Sequence, residues 1–250
     1  MEEWQKRALD RLADTGYIAT IQGLAKSHSA AFWWHDSSRP LGAHIEHNGT
    51  ITFVHSGTEI LGISCHHVHE AWLRDKAANP NLVCQIGSIT FDPVRQLVDC
   101  DPRLDLATYR LSDVIVAGSR SIVHNSQAWP PADIEEGGLL ILGGWPGILR
   151  SERGGETDFY FASFIGLVHQ ASSEHIAVHL NIAESHGPAG LIIPENPNLG
   201  GASGGPVFRI REDGLVTLEF VGIVYEYSAP LELIRARRAS SIRADGKLIR

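Results

Sequence analysis

Three histidines, a cysteine and a glutamate crowd into the stretch Ser64-Cys65-His66-His67-Val68-His69-Glu70. Such a cluster suits one of two chemistries: a metal centre, or a histidine that moves protons for a nucleophile placed elsewhere. For a metal the pattern is poor. On a strand, Cys65, His67 and His69 share one face and His66 takes the other, whereas on a helix His66 and His69 pair instead. No second Cys or His pair answers them at a zinc-ligand spacing. A metal-dependent hydrolase built on the cluster from Cys65 to Glu70 stands only as an alternative, and neither a metal nor another cofactor is expected.

The second stretch with chemistry in it is Leu199-Gly200-Gly201-Ala202-Ser203-Gly204-Gly205-Pro206-Val207-Phe208. Glycines on both sides of Ser203 free the backbone to present the N–H groups of Gly201 and Ser203 together, as an oxyanion hole for a serine nucleophile requires. A phosphate-binding glycine loop would want a Lys after the glycines and a helix behind them, but Pro206 to Ile210 reads as a strand. The same residues fit the Gly-x-Ser-x-Gly elbow of α/β-hydrolases. That fold places its histidine after the serine, and the last histidine here is His186. The base must come from upstream, which points to His67 at the end of the apolar run Leu61–Val68. The acid that orients it is Asp105, set between Leu104 and Leu106. A carboxylate there is costly to bury alone and tolerable when it accepts a hydrogen bond from a histidine Nδ1–H.

A strand-rich scaffold must hold these residues. The chain is 43% hydrophobic, with 25 Gly and 12 Pro, and short apolar or alternating runs recur between turn residues. They fall at His47–His55, Ile60–Ser64, Leu82–Phe91, Leu104–Leu111, Val114–Ala117, Leu139–Gly143, Phe159–Gln170, Ile176–Ile182, Pro206–Ile210 and Val216–Tyr227. Trp4, Ala8, Leu9 and Leu12 sit at helical spacing before Gly16, which predicts a helix over 1–16. Residues 127–138 are polar and proline-containing, a candidate link between two halves. From Pro230 onward the pattern reads as a C-terminal helix carrying a basic face.

In this order the segments resemble the chymotrypsin-like (trypsin-fold) serine peptidases, in particular their bacterial members. Ile63-Ser64-Cys65-His66-His67-Val68 is similar to that family's Val-Thr-Ala-Ala-His motif, Leu104-Asp105-Leu106-Ala107 to its Asp-Ile/Leu-Ala segment, and Gly201–Pro206 to Gly-Asp-Ser-Gly-Gly-Pro except at Ala202. Phe220-Val221-Gly222-Ile223-Val224 resembles the strand beyond the nucleophile, and Leu140–Gly147 the opening of the second barrel. The resemblance implies an all-β, single-domain chain of two six-stranded antiparallel β-barrels with short terminal helices. Their bounds would be about 17–126 and 139–228, followed by a basic helix or tail over 229–250. It implies a catalytic triad of His67, Asp105 and Ser203, an oxyanion hole of Gly201 and Ser203, and substrate contacts from Tyr225, Glu226 and Tyr227. Ala202 replaces an aspartate that many secreted members use for activation, so N-terminal processing is not expected.

The implied activity is a serine endopeptidase working on a protein or peptide substrate without a cofactor. The alternative is a catalytically silent or partner-gated pseudoprotease that binds peptides. Net charge −8 and pI near 5.9 argue against nucleic acid as a partner, although residues 229–250 hold six basic side chains against two acidic ones. Three cysteines without a Cys-x-x-Cys pair, no leader pattern and no long apolar run predict free thiols and a cytoplasmic location.

Overall fold

The computed structural model describes residues 15–39, 45–125, 129–131, 134–153, 156–180, 198–213 and 215–250. Residues 1–14 of the expected N-terminal helix lie outside these. The first described element is helix α1 (Thr15–Ser27), so Gly16 opens a helix where a stop was expected. A glycine costs little there, because the first four amides of a helix have no intrahelical acceptor to lose. Ile21 and Ala25, one turn apart, are buried and fix the face that α1 turns to the core.

Eight strands form the first sheet: β1 (Ser29–Asp36), β2 (Ile45–His55), β3 (Ile60–Ser64), β4 (Leu82–Ile86), β5 (Ile89–Thr90), β6 (Leu97–Asp101), β7 (Leu106–Arg110) and β8 (His124–Asn125). Their order is β5-β4-β1-β2-β3-β7-β6, antiparallel throughout, with β8 pairing parallel to β2. Strand β1 has no hydrophobic alternation because it is buried on both faces. Phe32 and Trp34 enter the main core, while Ala31 and Trp33 pack with Trp145 and Phe159 on the other side. The apolar run at Leu82–Phe91 is a hairpin, turned at Gly87-Ser88 between the paired Ile86 and Ile89; Gly87 has φ +55°. Val114–Ala117 is not a strand but part of helix α4 (Asp113–Gly118), preceded by Ser112 at its N-cap position and carrying Asp113 in its first turn.

The second half holds β9 (Leu139–Gly144), β12 (Ala162–Ala171), β13 (His175–His179), β14 (Pro206–Asp213), β15 (Leu215–Ser228) and β16 (Leu233–Arg238), closed in the order β12-β13-β16-β15-β14-β9. A separate ribbon pairs β10 (Arg150–Arg153) with β11 (Glu156–Phe159). Two closed barrels were expected; among the described residues only the second closes. At the first sheet's ends, β5 and β6 are separated by the short helix α3 (Pro93–Gln96). Asp92 starts it by accepting the N–H groups of Val94 and Arg95, and this turns the chain before the two edges can pair.

The C-terminal helix is also corrected. Pro230 sits in a single 3₁₀ turn, Ala229–Leu231, Glu232 takes a left-handed φ of 46°, and Leu233–Arg238 then forms β16, the strand that closes the barrel between β13 and β15. Its pattern Leu-Ile-Arg-Ala-Arg-Arg alternates, with Ile234 and Ala236 buried inward. The basic side chains read as a tail are instead engaged with the folded body: Arg235 with Glu226, Arg237 with Glu174, and Arg250 with Asp99 and Asp101. One hydrophobic core runs from Phe32, Ile51 and Phe53 of the first sheet to Ile141, Phe208 and Phe220 of the barrel, locking the two halves together.

Candidate functional site

His67 stands at the second position of helix α2 (His66–Ala78), directly after β3. The helix begins where β3 leaves the sheet at Cys65, so His66 and His67 are neighbours on a helix turn, not on opposite faces of a strand. Cys65 makes no side-chain cap bond. The cap comes instead from Asp105, whose Oδ1 accepts the His67 main-chain N–H at 2.9 Å while its Oδ2 meets His67 Nδ1 at 2.8 Å. A carboxylate at a helix N-terminus is favoured by the orphan amides there. One acid thus fixes both the position and the ring of His67. An ionised carboxylate can only accept, so this contact selects, for a neutral imidazole, the tautomer with the proton on Nδ1 and the lone pair on Nε2. The His67 side chain is 49% exposed, which leaves that nitrogen accessible.

Asp105 does not lie within a strand, as the sequence suggested. It ends the turn ahead of β7 with φ 52°, a left-handed conformation costing about 1 kcal/mol for a non-glycine residue. Asp101 braces the turn: its Oδ1 accepts the N–H groups of Arg103 at 2.8 Å and Leu104 at 3.0 Å. Arg250 Nε donates to the other Asp101 oxygen at 3.0 Å.

The Ser203 loop enters from the barrel and is held by β2. Thr50 N–H donates to Ser203 O at 2.8 Å, Thr50 Oγ1 to Gly201 O at 2.7 Å, and Thr52 Oγ1 to Gly204 O at 2.8 Å. Thr50 Oγ1 also accepts the Trp145 N–H at 2.9 Å, and Asn48 Nδ2 donates to Trp145 O at 2.7 Å. Gly201 and Gly204 take φ of +100° and +93°. A Cβ at Gly204 would run into Thr50 O and approach Ser64 Oγ to 2.6 Å, so only glycine lets the loop lie this close to β2 and β3.

The loop's amides divide into two sets. Gly200 N–H donates to Asn198 Oδ1, Ala202 N–H to Leu199 O, Gly204 N–H to Val224 O and Gly205 N–H to Ala202 O. Those of Gly201 and Ser203 have no partner among the described residues. The carbonyls in the same two peptide units, Gly200 O and Ala202 O, accept from Gly147 and Gly205. Each free N–H points opposite to its carbonyl, as a trans peptide requires. Ser203 Oγ makes no hydrogen bond with His67 or any other described residue.

Serine loop and histidine helix meet at Val224, whose carbonyl accepts both Gly204 N–H at 2.8 Å and the Cys65 thiol at 3.2 Å. Beyond Val224 the β15–β16 pairing slips by one residue at Tyr225. Tyr225 lies under the Arg237 guanidinium, 5.0 Å from the ring centroid. Glu226 accepts from Arg235 Nη1 at 2.9 Å, so its charge already has a partner. Tyr227 packs against the barrel interior, and its buried hydroxyl finds no partner among the described residues.

The histidine cluster is split by the helix. His69 is buried, with Nδ1 3.1 Å from the Tyr109 hydroxyl, and burial, followed by the charge of His66, holds its imidazole below the ordinary histidine range. Glu70 is exposed. Only Cys65 and His67 stay together, and Asp105 joins them. A cavity of about 800 Å³ lies on the other side of Trp145, lined by its ring, Trp33, Phe159, Lys26 and Arg120; His67, Asp105 and Ser203 are not in its wall. No protein-family model and no curated protein matches this chain.

Sequence reasoning missed Thr50, Thr52, Asp101, Arg237 and Arg250. The threonines left a readable signal: they alternate with Ile51 and Phe53 in the apolar stretch of β2, and both are fully buried and so require partners.

Proposed function

We propose that the chain is a serine hydrolase cleaving peptide bonds, with Ser203 as nucleophile, His67 as base, Asp105 as its orienting acid, and the Gly201 and Ser203 amides as the oxyanion hole. The observation that carries this reading is the pairing of an Asp105-oriented imidazole with two unbonded amides flanking a serine. Ser203 Oγ attacks the substrate carbonyl while His67 Nε2 takes its proton. The carbonyl electron pair moves to oxygen and is met by the two amides, and Asp105 balances the imidazolium. Collapse of the intermediate breaks the C–N bond as His67 returns the proton to the leaving amine. Water then repeats the sequence on the acyl-enzyme and frees Ser203. No step needs a cofactor.

In this reading the fold is trypsin-like, the eight-stranded sheet taking the place of a first barrel, and Tyr225, Glu226 and Tyr227 border the substrate. The substrate is a peptide or protein. The three free thiols, Cys65, Cys84 and Cys100, favour a reducing compartment and thus a cytoplasmic enzyme; a bacterial source is implied by the sequence resemblance alone. Among the described residues no helix is long and apolar enough to cross a membrane.

The missing bond between Ser203 and His67 favours a second reading, a partner-gated or silent peptide-binding module, although such bonds are commonly loose before substrate arrives. Labelling with a fluorophosphonate probe separates the two. The enzyme reading expects labelling of the parent that persists in chelator and is lost in Ser203→Ala and His67→Ala. Labelling that survives Ser203→Ala, or its absence in the folded parent, overturns that reading.

A further inference from the structure

We infer that Cys65, His67 and Asp105 form a binding site for a soft divalent cation of the zinc class, and that occupancy of this site switches the base off. One ligand atom from each residue lies within 4.8 Å of the other two. Thiolate, imidazole and carboxylate are a donor set that zinc takes, at bond lengths of about 2.3, 2.0 and 2.1 Å. Tetrahedral angles with those lengths put the ligand atoms about 3.4–3.6 Å apart. The 2.8 Å contact between His67 Nδ1 and Asp105 Oδ2 therefore opens slightly and the wider separations close by about an ångström, within reach of side-chain rotation. A water would complete the four-ligand shell that zinc prefers.

The surroundings tolerate the exchange of protons for a metal. The Cys65 thiol donates only to Val224 O, a carbonyl that already accepts Gly204 N–H, so losing the thiol proton orphans nothing. Asp105 keeps its bond from the His67 main-chain N–H through Oδ1 while Oδ2 turns to the metal. Burial, and after it the negative charge of Asp105, push the Cys65 thiol well above its ordinary range. A dication between sulfur and carboxylate reverses that repulsion. Gly204 N–H and the Arg237 guanidinium also favour the thiolate, although Arg237 repels the metal itself.

The proton balance gives the site its consequence. Metal binding releases one proton, that of Cys65. The imidazole stays neutral, but with Nδ1 on the metal its hydrogen moves to Nε2. That nitrogen can then no longer accept the Ser203 proton. This last step rests on the proposed hydrolase reading; the binding itself does not.

The test titrates the full chain with cadmium and zinc, reading the thiolate-to-cadmium charge-transfer absorption, calorimetric stoichiometry and, separately, fluorophosphonate labelling. One ion per chain is expected, with a thiolate band that is lost in Cys65→Ala and kept in Cys100→Ala. Asp105→Asn, which retains the thiol, is expected to bind at least tenfold more weakly and covers the case in which Cys65→Ala fails to fold. Labelling of the parent should fall as the ion saturates and return with chelator. Absence of a thiolate band, or a band that persists in folded Cys65→Ala, overturns the site. Undiminished binding by Asp105→Asn does the same. A band with the expected losses but no labelling even without metal leaves the site standing and sinks the hydrolase reading.

Discussion

Thr50 is the residue on which the geometry of the Ser203 loop depends most, and Thr50→Val tests this with little change of shape. Its hydroxyl donates to Gly201 O and accepts from Trp145 N–H, and it is fully buried. Valine fills the same space, keeps the Thr50 N–H bond to Ser203 O, and leaves one acceptor and one donor without a partner. An unsatisfied buried polar group costs about 1–3 kcal/mol, so the pair predicts a loss of about 3 kcal/mol. For a chain of this length that lowers the melting temperature by roughly 6–12 °C. Thr52→Val deprives only Gly204 O and should cost about half as much. Differential scanning calorimetry measures both. The fluorophosphonate labelling rate should fall further for Thr50→Val than stability alone explains, by about tenfold to hundredfold, because the Gly201–Ala202 peptide that the hydroxyl holds lies between the two units carrying the free amides. A melting temperature within a degree of the parent, or equal effects of the two variants, would refute the assignment of Thr50 as the main anchor.

Asp101→Ala removes the oxygen that satisfies the N–H groups of Arg103 and Leu104, and it should destabilise the chain by about 2 kcal/mol. Because that turn presents Asp105, labelling should slow as well, and Arg250→Ala, which leaves the two N–H bonds intact, should slow it less; equal effects would argue against the brace. Acid should weaken the fold through His124, whose burial against His28 and Phe208 lowers its pKa to about 4 from 6.5. The unfolded chain binds the proton near pH 6.5 and the folded chain only near pH 4, so stability is fully present above 6.5 and falls between those limits. The fall is at most about 3 kcal/mol. Urea titrations at pH 7 and pH 5 should differ less in His124→Gln than in the parent. A residual slope is expected from His28, which burial also lowers, and an unchanged slope in the variant would remove His124 as the cause.

The candidate residues stood out in the sequence because each carried a local anomaly. Ser203 lies among glycines, Asp105 between leucines, and His67 at the end of an apolar run; the structure brings His67 and Asp105 into contact and seats the glycine loop against β2, which pairs with the strand that leads to His67. The backbone around them was harder to read. Asp105 is in a left-handed turn and His67 in a helix, because Leu-Asp-Leu and His-His-Val-His have no period long enough to separate turn, strand and helix, and long-range partners decide. Strand β1 was invisible for a different reason: a strand buried on both faces shows no alternation. Strand β16 did alternate, but Pro230 ahead of it and the run of arginines suggested a solvated helix. Those arginines are compatible with a barrel because Arg235 meets Glu226 across the pairing with β15, a neighbour supplied only by the register. The sequence motif therefore names the candidate reactive groups, while their alignment depends on contacts far apart in the chain. Thr50 to Gly201, Asp101 to Arg250 and Cys65 to Val224 each tie a loop of the site to an element that no local pattern predicts. A substitution at any of these supports should disturb the site while leaving His67, Asp105 and Ser203 themselves intact.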